Sequence, residues 1–159
     1  MQVPGKQRAG HFTGAIAPTR DRIIAPMHGL QLTADLHGCA QGRPALTDPD
    51  ALRTAFRAAI GGAGLTPVGE LFHRFDSAVE GGGGNGITGV VLLAESHVAV
   101  HTWPELRAVT LDVYVCNVGR DNTARAHALL ATLIDLFEPT EVQRHALQRG
   151  APAASAAAP

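Results

Sequence analysis

Apolar residues recur along this chain at two alternating periods, one typical of strands and one typical of helices. Every second residue from Leu30 to Leu36 is apolar, which predicts a half-buried strand. Apolar residues at helical spacing follow from Leu52 to Ile60. Thr47 or Asp48 is suited to cap this helix, and Gly61 is suited to end it. The fold is therefore predicted to open with a strand and a helix.

The rest of the patterned region predicts further strands and a second helix. The strand segments are TPVGELFHRF, ITGVVLLAE, HVAVHTW, VTLDVYVC and, closing the sheet, EVQRHAL. The helix segment DNTARAHALLATLIDLFEP begins at Asp121 or Asn122 and is stopped by Pro139. The order β-α-β-β-β-β-α-β predicts an α+β fold. We expect a two-layer α/β sandwich with a mainly antiparallel sheet and the helices on one face.

The two ends of the chain lack this patterning. Residues 1–26 contain scattered Gly and Pro and no apolar stretch of the ~7–15 residues that a secretory signal needs, so we expect a flexible arm. Met27 stands directly before the first patterned segment and is a second candidate start of translation. The Ala- and Pro-rich residues 151–159 are expected to be a disordered tail. A single domain is therefore predicted over residues 27–150.

The amino-acid composition limits which kinds of molecule this protein is expected to bind. The chain has 159 residues, 45% hydrophobic and 17% charged, which suits one globular domain. Its 13 Lys and Arg against 14 Asp and Glu give a net charge of −1, which favours neither nucleic acid nor an anionic membrane. No apolar run is long enough to span a bilayer. Cys39 and Cys116 lie far apart without CxxC spacing, which fits a reducing cytoplasm. A small molecule or another protein is the expected partner.

Two other motifs suggest chemistry but lack the residues that it requires. The glycine-rich stretch from Gly81 to Gly86 resembles a phosphate-binding loop, yet no Lys-Ser or Lys-Thr follows it and it precedes a strand. His37 and Cys39 could ligate a metal, but no second pair occurs at matching spacing. Neither a phosphate loop nor a metal site is predicted.

The segment LLAESHVAVHTWPE, residues 92–105, interrupts an apolar strand with polar and titratable side chains. Ser96 and His101 would point to opposite faces of an unbroken strand, so chemistry that joins them needs a bend near Glu95 to His97. If the strands at residues 97–103 and 109–116 pair as a hairpin with an even loop, His101 and Cys116 lie on the same face of the sheet. A hydroxyl, an imidazole and a thiol could then converge. The spacing alone is equally compatible with a polar sheet face and a serine in a turn.

The segment AESHVAVHTWPE, with Cys116 thirteen positions after Trp103, resembles the processing segment of the prokaryotic S-adenosylmethionine decarboxylase proenzymes. The similarity continues in GLQLTADLHGC, FHRF, GITGVV and LDVYVC and covers about residues 29–150. The resemblance implies a pyruvoyl-dependent decarboxylase that acts on S-adenosylmethionine for spermidine biosynthesis. It also implies a homodimer of cleaved protomers.

The resemblance implies a role for each residue of the interrupted strand. The Ser96 hydroxyl attacks the Glu95 carbonyl, and β-elimination of the resulting ester cleaves the 95–96 bond. Residue 96 becomes the pyruvoyl group, the implied cofactor, which forms a Schiff base with the substrate amine. His101 corresponds to the processing histidine, and Thr88 to a hydroxyl residue, usually Ser, that assists processing. Cys116 corresponds to the acid that protonates the product carbanion.

The resemblance also implies substrate contacts. Phe75 corresponds to an aromatic residue that stacks on adenine, and Glu105 to the carboxylate that holds the ribose hydroxyls. Trp103 either packs in the fold or forms a wall of the site. Relatives often read WPEYGY where this chain reads WPELRA, and the glycine-rich stretch lengthens the connection after Phe75. Both differences bear on which substrate fits.

Two alternatives stand beside this interpretation. One is a pyruvoyl-dependent decarboxylase of ornithine or arginine, because Glu105 could serve either kind of substrate. The other is a non-catalytic regulatory partner of a decarboxylase. A regulator has no chemical use for Ser96, His101 and Cys116 together, which weighs against the second alternative.

Overall fold

Six strands and two helices form the part of the chain that the structure, a computed structural model, describes: residues 28–75 and 84–150. The predicted arm, the tail and residues 76–83 of the glycine-rich connection lie outside these ranges. The strands are β1 Gly29–His37, β2 Pro67–Arg74, β3 Ile87–Leu93, β4 Ser96–Trp103, β5 Ala108–Cys116 and β6 Glu141–Arg149. The helices are α1 Pro49–Gly62 and α2 Thr123–Phe137. Short 3-10 turns span Pro44–Leu46 and Pro104–Leu106.

The strands form one antiparallel sheet in the order β2-β3-β4-β5-β1-β6. The predicted element order and the α+β sandwich are thus confirmed. Strand β1 shows why the layers form, because its alternate apolar residues from Leu30 to Leu36 are at most 3% exposed and pack in one core with the helices. In β5, the alternate residues from Val109 to Val115 do the same.

The helix ends follow local chemistry. Asp48 Oδ1 accepts hydrogen bonds from the backbone N–H groups of Asp50 at 2.9 Å and Ala51 at 3.3 Å, which caps α1. The predicted stop at Gly61 is one residue early, since the helix ends at Gly62. Helix α2 ends at Phe137, where Glu138 takes a left-handed conformation with φ 44° before Pro139.

The sheet has a second face that the described helices do not cover, and we call it the open face. Strand alternation puts polar residues such as His97, His101 and Asp112 on it, half-buried or exposed. Apolar side chains interrupt these polar residues: Leu92 is 50% exposed and Leu147 is 60% exposed. The open face therefore carries both polar groups and separate exposed leucines.

Thr102 joins the sheet to the Pro44–Leu46 turn. It is 3% exposed, its Oγ1 accepts from the Ile87 N–H at 2.8 Å, and its hydroxyl donates to the Leu46 carbonyl at 2.8 Å. Thr102→Val keeps the shape of the side chain but leaves both buried backbone groups unpaired. We expect it to lower the free energy of unfolding by ~1–3 kcal/mol, measured by denaturant titration of chains that also carry Ser96→Ala to prevent cleavage.

The matched control for that substitution is Thr110→Val on the open face, where the threonine is only half-buried. A surface change of this kind is expected to stay within about 0.5 kcal/mol of the parent. Equal losses in the two variants would show that the Thr102 hydrogen bonds do not stabilise the fold.

Candidate active site

A tight turn lies immediately before Ser96. Strands β3 and β4 pair through Leu93 and Ser96, so only Ala94 and Glu95 connect them. The bend therefore falls at Ala94–Glu95, and β4 runs without interruption from Ser96 to Trp103. As a result, the Glu95–Ser96 peptide bond lies where a two-residue hairpin turn meets the first residue of a strand.

Ser96 and Cys116 are neighbours across the sheet. The backbone N–H of Cys116 donates to Ser96 Oγ at 3.0 Å, and Cys116 is 8% exposed. Asn122 Nδ2 donates to the Cys116 carbonyl at 2.9 Å, which links the end of β5 to the start of α2. The bond from Cys116 fixes the position of the serine oxygen beside the peptide bond that precedes it.

Two cavities meet at Glu95 and Ser96. The first, about 530 Å³, opens on the open face and is lined in addition by His97, Tyr114 and Arg149. The second, about 240 Å³, is lined in addition by Cys116, Arg120 and Arg125. A small molecule that enters either cavity can therefore reach the 95–96 bond.

A second group of predicted residues lies at the other end of β3 and β4. Thr88 pairs with His101 across the two strands, and a hydrogen bond of 2.9 Å joins Thr88 Oγ1 to His101 Nδ1. The ring of Trp103 lies 6.0 Å from that of His101, centroid to centroid. The two residues to which the resemblance assigns processing, apart from Ser96 and Glu95, are therefore neighbours.

Phe75 and Glu105 belong to the same end of the sheet. The Phe75 N–H donates to the Gly86 carbonyl at 2.9 Å, just before β3, and the Phe75 ring is 38% exposed. Glu105 lies in the 3-10 turn after β4, with its carboxylate so close to Gly84 that a Cβ there would collide with it. An exposed aromatic ring and a carboxylate therefore flank the Thr88–His101 pair.

The two groups do not meet within one protomer. Ser96 and His101 lie on opposite faces of the same straight strand, five residues apart, which is roughly 17 Å at about 3.3 Å per residue. The expected hairpin of β4 and β5 does form, and it pairs His101 with Thr110. The hydroxyl and the thiol residue are thus brought together, and the imidazole is kept apart.

Arg107 explains how this chain tolerates the change from WPEYGY to WPELRA. Arg107 has φ 51°, a left-handed conformation that glycine adopts without strain. Its guanidinium donates to the carbonyls of Cys39 at 2.9 Å and Gly38 at 3.1 Å, and its own carbonyl accepts from the Cys39 N–H. These bonds hold the turn that carries Glu105 against the end of β1.

Neither cysteine takes part in a disulfide in the described part of the chain. Cys39 and Cys116 are both free, and burial raises the pKa of the Cys39 thiol above its usual value. Cys39 therefore stays protonated at neutral pH. Residues 28–75 and 84–150 contain no group of three or more His, Cys, Asp or Glu side chains arranged to hold a metal ion.

Three open-face residues near Ser96 were not predicted as part of a site. Arg149 Nη1 donates to Gln31 Oε1 at 2.9 Å, and Gln31 Nε2 donates to Asp112 Oδ2 at 2.6 Å. These residues come from β6, β1 and β5, so only the register of non-consecutive strands brings them together. The one local feature of the sequence that could have indicated these contacts is the strand alternation, which puts Asp112 on the same face as Tyr114.

Fold and site together define a class: an antiparallel α+β sandwich in which a serine at a hairpin turn lies against a cysteine on the neighbouring strand. Residues 30–150 match the family model described as S-adenosylmethionine decarboxylase. The chain belongs to this family, as the motif around Ser96 indicated. In the described part of the chain, neither helix has the length and apolar character needed to cross a membrane.

Individual relatives agree with the family match. The chain is 30% identical over 122 residues to the S-adenosylmethionine decarboxylase proenzyme of Archaeoglobus fulgidus, covering 77% of this chain and 97% of the relative. It is 35% identical over 133 residues to the proenzyme of Parasynechococcus marenigrum, covering 82% and 91%. The crystal structure of the adenosylmethionine decarboxylase from Aquifex aeolicus matches with a TM-score of 0.67 at 29% identity, covering 81% and 96%.

Proposed function

We propose that this protein is a self-processing, pyruvoyl-dependent decarboxylase. It converts S-adenosylmethionine to decarboxylated S-adenosylmethionine, the aminopropyl donor of spermidine biosynthesis. The observation that carries the proposal is the position of Ser96, first in its strand after a two-residue turn, with its Oγ held by the backbone of Cys116. The family match supports the substrate and the reaction.

Cleavage between Glu95 and Ser96 divides the domain of residues 27–150 into two chains and leaves the pyruvoyl group at position 96. The site suits this group, because the precursor serine begins a strand and lines a cavity large enough for a substrate. When formed, the group supplies an electron sink for loss of CO₂. Glu95 contributes the carbonyl that the Ser96 hydroxyl attacks, and the turn holds the two groups side by side.

Cys116 is the proton donor to the product carbanion. Cys116→Ser is expected to retain at least partial cleavage while decarboxylation falls by ~10²–10⁴-fold, the usual contribution of a positioned acid. Cleavage is read by intact mass, and turnover by release of labelled CO₂. The matched control is Cys39→Ala, which removes the other thiol at the far end of β1 and should leave turnover near the parent value. Full turnover in Cys116→Ser would exclude Cys116 from the reaction.

His101 and Thr88 act in cleavage, and they reach Ser96 from a second copy of the chain. The separation of roughly 17 Å along β4 rules out direct proton transfer within one protomer. In a two-fold homodimer, the same patch of each copy meets the other, so the end of the sheet that carries His101 in one copy can lie at the Ala94–Glu95 turn of the other. The exposed Leu92 and Leu147 supply apolar surface that such a contact would cover.

The arrangement also supports the choice of substrate. Phe75 and Trp103, 38% and 37% exposed, offer aromatic surface for adenine, and Glu105 offers a carboxylate for the ribose hydroxyls. All three belong to the end of the sheet that carries His101, so in the dimer they would bind the nucleoside part while position 96 of the partner reacts with the amine. The free thiols of Cys39 and Cys116 support a cytoplasmic location.

The deciding experiment measures labelled CO₂ released from carboxyl-labelled S-adenosylmethionine, ornithine and arginine by the cleaved protein in parallel. We expect turnover of S-adenosylmethionine alone. Turnover of ornithine or arginine without S-adenosylmethionine would reassign the substrate and keep the pyruvoyl mechanism. Cleaved protein that turns over none of the three would favour a regulatory partner of another decarboxylase.

A further inference from the structure

A chain of polar contacts crosses four strands of the open face and ends beside Ser96. It runs from Arg149 through Gln31 to Asp112, with bonds of 2.9 and 2.6 Å. The last member is His97, whose Nε2 lies 3.7 Å from Asp112 Oδ1. The Arg149 guanidinium also lies over the Tyr114 ring, 5.1 Å from its centroid. The order of contacts is therefore arginine, amide, carboxylate and imidazole.

One carboxylate oxygen of Asp112 has no hydrogen-bond partner in the described part of the protein, and this oxygen is the one that faces His97. Asp112 Oδ2 is occupied by Gln31, whereas Oδ1 is buried and has no hydrogen-bond partner in residues 28–75 and 84–150. A buried carboxylate oxygen without a donor is costly, and the His97 ring, with Nε2 3.7 Å from this oxygen, can supply a proton to it. Asp112 is thus positioned to orient the imidazole and to stabilise it when it gains a proton.

His97 reaches the reacting centre through the larger cavity. Glu95, Ser96, His97, Tyr114 and Arg149 all line this space of about 530 Å³. The His97 ring is tilted against Tyr114 at 5.5 Å between centroids, which fixes its plane. Its Nδ1 makes no hydrogen bond within the described part of the chain, so this nitrogen is free to meet a substrate.

We propose that His97, oriented by Asp112, is the base that takes a proton from the substrate's α-ammonium group, so that the amine can condense with the ketone at position 96. This rests on the proposed function. The imidazole accepts one proton, and the freed amine forms a bond to the ketone carbon. The nitrogen passes a second proton to the former ketone oxygen and the imidazolium returns the first, so that the oxygen leaves as water and the C=N bond forms with one proton left on its nitrogen. No oxidant or reductant is needed.

His97 acts at a different step from His101 and Cys116. His101 and Cys116 act on cleavage and on the carbanion, whereas no group assigned so far deprotonates the incoming amine. An ammonium group cannot attack a ketone, so a base at this position removes a barrier that precedes decarboxylation. Asp112 acts through His97 and is a positioning residue.

The test compares two amines that differ in protonation. Cleaved parent, His97→Gln and Asp112→Asn are mixed with labelled S-adenosylmethionine at neutral pH and quenched with cyanoborohydride, and label bound to the chain that begins at residue 96 is counted over time. Each is also treated with phenylhydrazine, which is unprotonated at this pH and needs no base, and formation of the coloured hydrazone is followed.

We expect His97→Gln to slow capture of S-adenosylmethionine by at least ~10²-fold, with a smaller loss in Asp112→Asn. The phenylhydrazine rate should be unchanged in both variants. Parallel losses with both amines would mean that the pair only maintains the site, and an unchanged capture rate would exclude the base; either result overturns the proposal. If neither variant is cleaved, the pair acts in processing and the proposal is wrong.

The parent protein keeps the two proposals distinguishable. If the parent shows no cleavage and no hydrazone, the pyruvoyl function itself fails. If the parent is cleaved and captures S-adenosylmethionine while the variants do so at the same rate, only the role of His97 fails.

Discussion

Ser96→Ala is expected to remain a single uncut chain, whereas the parent protein separates into residues 1–95 and 96–159. The reason is that the Ser96 hydroxyl is the proposed nucleophile at this bond, and the structure holds its oxygen at 3.0 Å from the Cys116 nitrogen beside the Ala94–Glu95 turn. Alanine keeps the strand and the turn but has no oxygen to form the ester. Intact mass spectrometry of freshly purified protein measures the result directly.

The control for this experiment uses the other serines of the chain. Ser77→Ala and Ser155→Ala should be cleaved like the parent, because neither residue belongs to the 95–96 bond. A parent protein found as one chain, or a Ser96→Ala protein found as two, would contradict self-cleavage at this position. A fragment that begins with free serine would instead indicate ordinary proteolysis.

Co-expression of Ser96→Ala with His101→Ala is expected to restore cleavage that neither variant shows alone. In a mixed dimer, the intact Ser96 of one chain meets the intact His101 of the other, so one of the two sites is complete. With random two-fold pairing, about half of the His101→Ala chains should be cleaved, and all Ser96→Ala chains should stay whole. Different affinity tags let mass spectrometry assign each fragment to its chain.

The matched control pairs two differently tagged His101→Ala chains, in which every site has the same defect and no cleavage is expected. If the two complementary variants co-purify as a mixed dimer and both remain whole, the site does not form between copies. If His101→Ala alone matures at the normal rate, His101 has no role in cleavage.

Much of the fold was predictable because its determinants are local. The alternation from Leu30 to Leu36 and the carboxylate of Asp48 act within a few residues, and both have the predicted effect. The position of β1 between β5 and β6 was not predictable from the same patterns. That order depends on pairing between segments about a hundred residues apart, for which strand periodicity carries no signal.

In the site, too, local features were predictable from the sequence and features that depend on strand pairing were not. The motif identified Ser96, His101 and Cys116 as a set, and alternation alone implied that Ser96 and His101 would face apart on a straight strand. What could not be predicted is that the bend precedes Ser96, so that β4 stays straight and keeps the two residues apart. The contacts of Asp112 with Gln31 and His97 depend on the register of β5 against both neighbours, and for that reason they were missed.

The straight course of β4 has a consequence for how fast new protein matures. If the processing residues at the two ends of that strand meet only between two copies, as proposed, a newly made chain stays inert until it collides with another. At low expression, maturation is then second order, and its half-time lengthens as the chain is diluted. The amount of active decarboxylase would rise more steeply than the amount of chain synthesised, which gives the cell a threshold dose below which little of the precursor is converted.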